Sequence, residues 1–217
     1  MRTNQDYKKA ALAALKGSWP QAIVATFIVL VIDALLDAVV YFGSGYSVAA
    51  VIAVAVLLIF FVALPLLLGY INSFSQMFYK SDRNVLSTMK EIALKDYFMG
   101  SVGMLAMSLV TSVLSLALVV PGIIASYALF LTPFLLKDNP ELSVIETLRL
   151  SRKMMQGHKM QLFKLQLSFL GWILLSVLTL GLGMLWLMPY MMTTMAAFYQ
   201  DVREQYIMKE GQQESAL

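Results

Sequence analysis

Long apolar runs alternate with polar segments along the whole chain. A transmembrane helix needs about 20 mostly apolar residues, because each residue adds about 1.5 Å to a helix that must cross about 30 Å of hydrocarbon. Five runs come close to that length, and the fourth in chain order is shorter. The pattern predicts an all-α fold with six transmembrane helices, at Gln21–Tyr41, Val48–Ile71, Gly100–Val119, Gly122–Leu136, Leu162–Leu180 and Gly183–Tyr199.

Short turns of glycine, serine and proline join these helices in pairs. Gly43-Ser44-Gly45 separates the first two helices, Pro121-Gly122 the next two, and Gly181-Leu182-Gly183 the last two. Glycine and proline favour such turns because they permit or fix the backbone geometry that a turn requires. Longer polar segments separate the pairs. Residues 1–217 are therefore expected to form one membrane domain, with hairpins at 21–71, 100–136 and 162–199.

Amphipathic helices are predicted between the hairpins. Residues 1–18 contain a helix over Asn4–Lys16, and residues 140–157 form a second one. In the second, Asn139 is the expected N-cap, Pro140 suits the first helical position, and Gly157 suits the position after the end. Basic amphipathic helices beside a bilayer usually lie in its interface. They either anchor the hairpins to anionic headgroups or form a docking surface for a partner protein, and residues 200–217 form a tail.

The composition excludes a soluble globular protein. Residues that are hydrophobic make up 59% of the chain and charged residues only 13%, against about 25% charged in soluble domains. The first apolar run, 19–42, is longer than the 7–15 residues or so of a signal-peptide core, so a retained helix is expected. The chain has no cysteine, which excludes disulfides, thiolate metal sites and a cysteine nucleophile.

Positive charge predicts the orientation. All 16 lysines and arginines lie in the N-terminal segment, the long polar segments, the beginning of the fifth helix or the tail, and none lies in the three short turns. Basic residues resist translocation, so both termini and the long segments are expected in the cytoplasm. A hairpin that only dips into the membrane from the cytoplasm would give the same pattern. This alternative applies above all to segment 122–136, which as a helix is only about 22 Å long.

Two carboxylates interrupt the first predicted helix. Asp33 and Asp37 are four residues apart and therefore share one helix face. Charged side chains inside a membrane are costly, by about 2.5–3.5 kcal/mol near its centre, and are candidates for function. The functional interpretation is a proton or cation site, or a contact for a cationic ligand. The structural alternative places Asp37 at the outer interface and lets Asp33 hydrogen-bond to a neighbouring helix.

Hydroxyl side chains line one face of the third predicted helix, at Ser108, Thr111, Ser112 and Ser115. Small polar residues let membrane helices approach closely and hydrogen-bond across their interface. Packing is therefore one interpretation, and a polar lining that faces Asp33 and Asp37 is the other. Methionines crowd the sixth helix, where a flexible packing surface is more common than a soft metal site.

A basic surface is predicted on the cytoplasmic side, for anionic lipid headgroups or a partner protein. Its expected members are Lys8, Lys9, Lys16, Arg149, Arg152, Lys153, His158 and Lys159. No HExxH, P-loop or GxSxG motif accompanies them. No catalytic residue, cofactor, metal ion or nucleic-acid partner is therefore expected.

Several short motifs carry a family resemblance. They are Ala13-Ala14-Leu15-Lys16-Gly17-Ser18-Trp19, Leu136-Lys137-Asp138-Asn139-Pro140, Met155-Gln156-Gly157-His158-Lys159, Leu167-Ser168-Phe169-Leu170-Gly171-Trp172 and the ending Ala197-Phe198-Tyr199-Gln200-Asp201. Together they resemble the DUF975 family of bacterial integral membrane proteins. The resemblance implies a membrane fold in the bacterial cytoplasmic membrane, and it carries no catalytic residues.

Three functional hypotheses follow from the sequence. The first is a non-catalytic membrane accessory or interaction protein, whose partners are the lipid bilayer, another membrane protein or a second copy of the chain. The second is a small transporter, channel or lipid-handling protein that uses Asp33 and Asp37. An enzyme acting on membrane lipids ranks third, since no residue is an evident nucleophile or base.

Overall fold

The fold is helical in the part of the chain that the structure describes. The computed structural model describes residues 2–43, 46–80, 84–95, 97–117 and 119–214, and these contain no strand. Ser44 and Gly45 of the first predicted turn lie outside them. The helices are α1 Asn4–Leu15, α2 Trp19–Phe42, α3 Val48–Leu58, a π-helical segment Ile59–Ala63, α4 Leu64–Lys80, α5 Val85–Lys95, α6 Tyr97–Ala117, α7 Val119–Ala128, α8 Thr132–Asp138, α9 Val144–Met154, α10 Lys159–Leu167, α11 Leu170–Leu178 and α12 Met184–Glu214.

Five stretches in the described residues are long and apolar enough to cross a membrane. They are Trp19–Phe42, Val48–Met77, Tyr97–Ser115, Val120–Asp138 and Lys159–Leu178. The expectation of an all-α fold is thus confirmed for the described residues, which contain five candidate membrane spans where six were predicted. The sixth predicted helix, Gly183–Tyr199, is the first half of α12 and is not one of the five. α12 also carries Thr193, Thr194 and Asp201, which the neighbouring helices bury, so its composition does not have to match lipid.

α12 is the central helix of the bundle. It contacts α1, α2, α4, α9 and α11. Residues 193–199 of α12 are all buried, and the aromatic rings among them pack against other helices. The Tyr7 ring of α1 meets the Phe198 ring edge-on, with centroids 5.7 Å apart, and the Phe134 ring of α8 stacks on Tyr199 at 4.8 Å.

The hydrophobic core lies at one end of the bundle. In α2 only Ala22, Ala25 and Thr26 are buried, all within the first two turns, and α3 has no buried residue. At the opposite end the apolar side chains stay exposed, as for Leu180 at 96%. Exposed apolar surface on this scale suits a lipid environment. The core therefore holds the predicted cytoplasmic end together, and the other end of the first hairpin extends beyond it.

Prolines lie at the points where two of the predicted helices depart from a continuous α-helix. Pro65 lacks an N–H, and the π-helical segment directly before it lets the helix continue from α3 into α4. Segment 122–136, expected as one short helix, is divided into α7 and α8 by a turn at residues 129–131. Pro133 lies in the first turn of α8, where a missing N–H costs nothing. The fifth predicted helix is likewise divided, into α10 and α11.

The predicted start of the interfacial helix 140–157 is wrong. That helix, α9, begins at Val144 with Ser143 as its N-cap, and Asn139 instead ends α8. Ser143 and Glu146 satisfy each other's backbone N–H groups in a capping box. Asn139 cannot form such a box, because the residue three positions after it is Leu142. Gly157 follows the helix in a left-handed conformation, φ 83°, near the position expected for it.

Candidate functional site

A groove of about 560 Å³ lies between α6, α7 and α9. Apolar side chains of all three helices line it, among them Leu114, Ile124 and Leu148. Arg149 and Arg152 of α9, together with Lys159 at the start of α10, line the same groove, and none of the described lining residues is acidic. We name this feature the basic groove. It combines an apolar wall with a cluster of positive charges.

The orientation of α9 produces this combination. Its Thr147, Ser151 and Met154 are buried against the protein, and the Ser151 hydroxyl donates a hydrogen bond to the Ala128 carbonyl of α7 at 3.1 Å. Ile145, on the opposite side, is 63% exposed. α9 therefore turns its hydroxyl face inward and its apolar and basic face toward the groove, the reverse of a helix that packs by its hydrophobic stripe.

The cations of the groove are available for a ligand. Arg149 and Arg152 are three residues apart and share a helix face. None of the groove's three cations forms an ion pair with a carboxylate in the described part of the chain. The nearest acid on α9, Glu146, is held by hydrogen bonds from Ser143, which lower the pKa of its carboxyl more than the charge of Arg149 does. No described carboxylate therefore forms an ion pair at the positive end of the groove.

The remaining predicted cations are in different environments. Lys9 and Lys16 are exposed. Lys8 donates a hydrogen bond to the Ser168 carbonyl at 2.8 Å and lies 4.2 Å from the centre of the Phe169 ring, and burial lowers its pKa. Lys153 is paired with Glu210 of α12 at 3.0 Å. The structure therefore does not form one continuous basic surface from the eight predicted residues.

His158 is buried beside a small cavity rather than exposed to headgroups. The cavity, about 230 Å³, is also lined by Lys153, Tyr206, Lys209 and Glu210. Nδ1 of His158 has no hydrogen-bond partner in the part of the chain that the structure describes. Burial, and then the positive charge of Lys209, lower the pKa of His158. The imidazole is therefore expected to be neutral at pH values where an exposed histidine is partly protonated.

A second apolar cavity, about 390 Å³, lies between α1, the start of α2, α11 and the beginning of α12. All three tryptophans of the chain line it, Trp19, Trp172 and Trp186. Leu12 of α1 and Gly183 at the turn of the third hairpin also line it. We name it the tryptophan cavity. It brings the N-terminal amphipathic helix close to the turn of a hairpin that was expected on the opposite side of the membrane.

Asp33 and Asp37 are exposed on α2, and neither has a hydrogen bond or ion pair with a described residue. Asp33 lines an otherwise apolar cavity of about 260 Å³ together with residues of α4 and Met188 of α12. The proton- or cation-site interpretation of this pair stays a prediction. Among the described residues no group of three or more acidic or histidine side chains could hold a metal ion.

Hydroxyl groups of the α6 stripe donate their hydrogen bonds to backbone carbonyls of the same helix. Ser108 donates to the Leu105 carbonyl, Thr111 to the Met107 and Ser108 carbonyls, and Ser115 to the Thr111 carbonyl. Ser112 is exposed. No hydrogen bond links any of these hydroxyls to Asp33 or Asp37 in the described part of the chain. The structure does not bring the two polar features of the sequence together.

A polar cluster that the sequence reasoning missed joins the two ends of the chain. Tyr7 of α1 donates a hydrogen bond to Asp201 of α12, the Arg2 backbone N–H donates to the same carboxylate at 3.3 Å, and Gln161 donates to the Tyr7 hydroxyl at 3.2 Å. Burial opposes ionisation of Asp201, but these hydrogen bonds outweigh it and keep the pKa of Asp201 below its usual value. The partners are 194 residues apart, so spacing could not reveal them.

A second carboxylate ties α8 to α12. The Tyr199 hydroxyl donates to Asp138 at 2.7 Å, and the Arg203 guanidinium lies 3.7 Å from the same carboxylate oxygen. Both residues of the first contact belong to motifs that carry the family resemblance, Leu136–Pro140 and Ala197–Asp201. Two of the motifs that carry the family resemblance therefore pack together in the fold.

The sequence matches a described protein family over residues 50–206, and the family's description is "Protein of unknown function (DUF975)". The chain belongs to the DUF975 family. The resemblance drawn from its motifs is thereby confirmed. No curated protein and no solved structure matches the chain.

The DUF975 match covers the basic groove completely. It also contains Asp138, His158 and Asp201. It begins within α3, so α1 and α2 precede it, and with them Tyr7 and Asp33. The groove is therefore part of the region that defines the family, whereas the carboxylates of α2 lie outside that region.

Proposed function

We propose that this DUF975 protein is an integral protein of the bacterial cytoplasmic membrane that works as a non-catalytic accessory or interaction protein, with both termini in the cytoplasm. The observation that carries the proposal is the cluster of unpaired cations Arg149, Arg152 and Lys159 on the side that the positive-inside rule assigns to the cytoplasm. Exposed Lys9 and Lys16 add to it. Such cations attract anionic headgroups and acidic partner surfaces.

We infer a shallower membrane insertion than six crossings. Leu114 and Pro121, beside the turn of the second hairpin, line the basic groove together with Arg149. Gly183, at the turn of the third, lines the tryptophan cavity together with Leu12. A turn at the outer surface would be about 30 Å from the cytoplasmic interface. These shared cavity linings support cytoplasmic dipping by the second and third hairpins. The first hairpin, whose α3 has no buried residue, is the one proposed to cross fully.

Site-specific photo-cross-linking in cells tests the accessory role. A photoreactive amino acid at Arg152 is expected to capture the same membrane protein in repeated preparations. The same amino acid at Leu94, exposed on α5, is the background control. Failure to capture any protein above this background, in a strain where the variant reaches the membrane, would contradict an interaction role for this face.

A second candidate function is transport, favoured by the carboxylate of Asp33 in the apolar cavity between α2, α4 and α12. An ionisable group inside a membrane segment is a candidate for a proton or cation path. Liposomes that contain the purified protein should then show a proton or cation flux. The double variant Asp33→Asn and Asp37→Asn should abolish that flux, and an unchanged flux would rule out these carboxylates as the path.

A further inference from the structure

We propose that the basic groove is a binding site for one anionic diacyl phospholipid of the cytoplasmic leaflet. This inference rests on the proposed function, because it requires α9 to lie at the cytoplasmic interface. It names the ligand, the groove that binds it and the role of each group of groove residues. The phosphate meets Arg149, Arg152 and Lys159, and an acyl chain follows the apolar wall of α6 and α7.

The charged end of the groove selects for a negative headgroup. Arg149 and Arg152 project from one face of α9, and Lys159 lies at the first position of α10. Arginine binds phosphate oxygens through a planar fork, and lysine adds a point charge. No acidic side chain is among the described lining residues, so the lining itself supplies no counter-charge to the three cations. A zwitterionic headgroup would supply a weaker counter-charge, because its own positive group offsets its phosphate.

The apolar wall selects for a hydrocarbon chain. Val110 and Leu114 of α6 and Ile124 of α7 are 36–51% exposed, and Ile145 of α9 is 63% exposed. All four line the groove, so its wall is apolar and accessible. Small residues at Ala125 and Ala128 keep the floor open. The volume, about 560 Å³, is within the range of about 300–1,000 Å³ typical of ligand sites.

A phospholipid satisfies both parts of the groove, and a soluble anion satisfies only one. An inorganic phosphate would leave the apolar wall uncovered, and a neutral lipid would leave the cations uncovered. The proximity of the hairpin turn residue Pro121 to Arg149 places the apolar wall within a lipid's length of the cytoplasmic headgroups. One amphiphile of the cytoplasmic leaflet therefore fits the whole feature.

Native mass spectrometry of the purified full chain tests this site. The probes are dioleoyl phosphatidylglycerol and dioleoyl phosphatidylcholine, titrated separately. The wild-type protein should bind phosphatidylglycerol more tightly. The double variant Arg149→Gln and Arg152→Gln should lose roughly 30-fold in phosphatidylglycerol affinity, since each cation near a lipid surface contributes about 1 kcal/mol. Its affinity for phosphatidylcholine should stay unchanged.

The matched control removes the same charge elsewhere on the predicted cytoplasmic side. Lys9→Gln with Lys16→Gln should keep the phosphatidylglycerol affinity within about twofold of wild type, because neither lysine lines the groove. An equal loss in both double variants would mean that net charge, and no particular site, attracts the lipid. That result would overturn the groove assignment and leave the accessory role open to the cross-linking test.

A filling variant tests the acyl-chain part of the proposal. Ala125→Phe keeps every charge but occupies the groove, so it should also weaken phosphatidylglycerol binding at least tenfold. Wild-type affinity in this variant would mean that the headgroup alone is bound, and the proposal would be wrong. If the variant does not fold, phosphatidylglycerol with a photoreactive acyl chain should label residues 110–128 of the wild-type protein, and labelling confined to other segments would overturn the site.

Discussion

At the scale of single residues, the fold satisfies buried polar groups in pairs that join distant helices. Asp201 receives hydrogen bonds from Tyr7 and from the backbone of Arg2, and Asp138 receives one from Tyr199. Buried charges are stable only when they are paired or hydrogen-bonded in this way. His158 differs from these carboxylates, since its buried Nδ1 has no hydrogen-bond partner among the described residues. Because the pKa of His158 is lowered in the fold, the stability of the protein should depend on pH near neutrality.

Stability should fall as the pH is lowered from about 7.5 to about 5.5. The folded pKa of His158 lies below the ordinary value of 6.5, so the unfolded chain binds the proton more readily, and stability is lost once the pH drops below that value. The groups that face His158 are Lys209 and Asp201, with Lys153 and Glu210 on the same cavity. Thermal unfolding in detergent at several pH values measures the effect.

The variant His158→Gln should remove this pH dependence, because the chain has no other histidine. A matched control adds Gln5→His to that variant, which returns one histidine at an exposed position on α1, away from the His158 cavity. An exposed imidazole titrates alike in the folded and unfolded states, so the dependence should stay absent. A wild-type pH profile in His158→Gln would show that another group is responsible.

At the scale of elements, the two shorter hairpins use the same contact at their turns. A Cβ atom on Gly122 would lie 2.1 Å from the Ser115 hydroxyl oxygen, and one on Gly183 would lie 2.7 Å from that of Ser176. In each hairpin the glycine follows the serine by seven residues. Small residues at such points let helix backbones approach closely. The sequence showed the glycines and serines, but only the structure pairs them.

Gly122→Val should destabilise the second hairpin by about 1–3 kcal/mol, since the new side chain must displace Ser115. The matched control is Gly171→Val in α11, where an added Cβ meets no atom within 4 Å. Both substitutions place a β-branched residue in a helix, so the difference in melting temperature isolates the clash. Equal melting temperatures would mean that α6 and α7 can separate at this point without cost.

Helix boundaries were predictable where local chemistry decides them and not where packing does. The apolar runs predicted most of the candidate membrane spans, because helix length and apolar composition can be read from the sequence. Ser143 was passed over in favour of Asn139, although the capping box with Glu146 is readable in the sequence. Pro133 marks the break before α8 in the sequence, whereas no proline marks the break before Leu170. The basic groove could not be found from the sequence, because it depends on which face of α9 turns inward.

At the scale of the whole molecule, the positions of the hairpin turns decide the topology. The chain contains no cysteine, so single cysteines can be introduced without any other change. Tyr46→Cys, exposed at the turn of the first hairpin, should react with a membrane-impermeant maleimide on intact cells. Val120→Cys and Leu182→Cys, at the turns of the dipping hairpins, should not react. Lys9→Cys should react only after permeabilisation.

Reaction of Val120→Cys and Leu182→Cys from the outside would support six crossings and contradict the shallow arrangement. Reaction of Lys9→Cys on intact cells would contradict the cytoplasmic location of the N-terminal helix, and with it the proposed function. The labelling is measured separately from lipid binding, but either outcome would also count against the lipid site, because that site requires α9 to lie at the cytoplasmic interface. A protein with the shallow arrangement would occupy mainly the cytoplasmic leaflet.

The central position of α12 has a consequence for biogenesis. The ribosome makes this helix after every other helix that the structure describes, yet α1, α2, α4 and α9 all pack on it. The contact between Tyr7 and Asp201 therefore cannot form until nearly the whole chain has been translated. Until then the earlier helices are expected to lack their contacts with α12, although α2, α4, α5 and α6 can already pack on one another, and this incomplete bundle is expected to be open to quality-control proteases. Nascent chains stalled before α12 should accordingly be short-lived, while chains that include it persist.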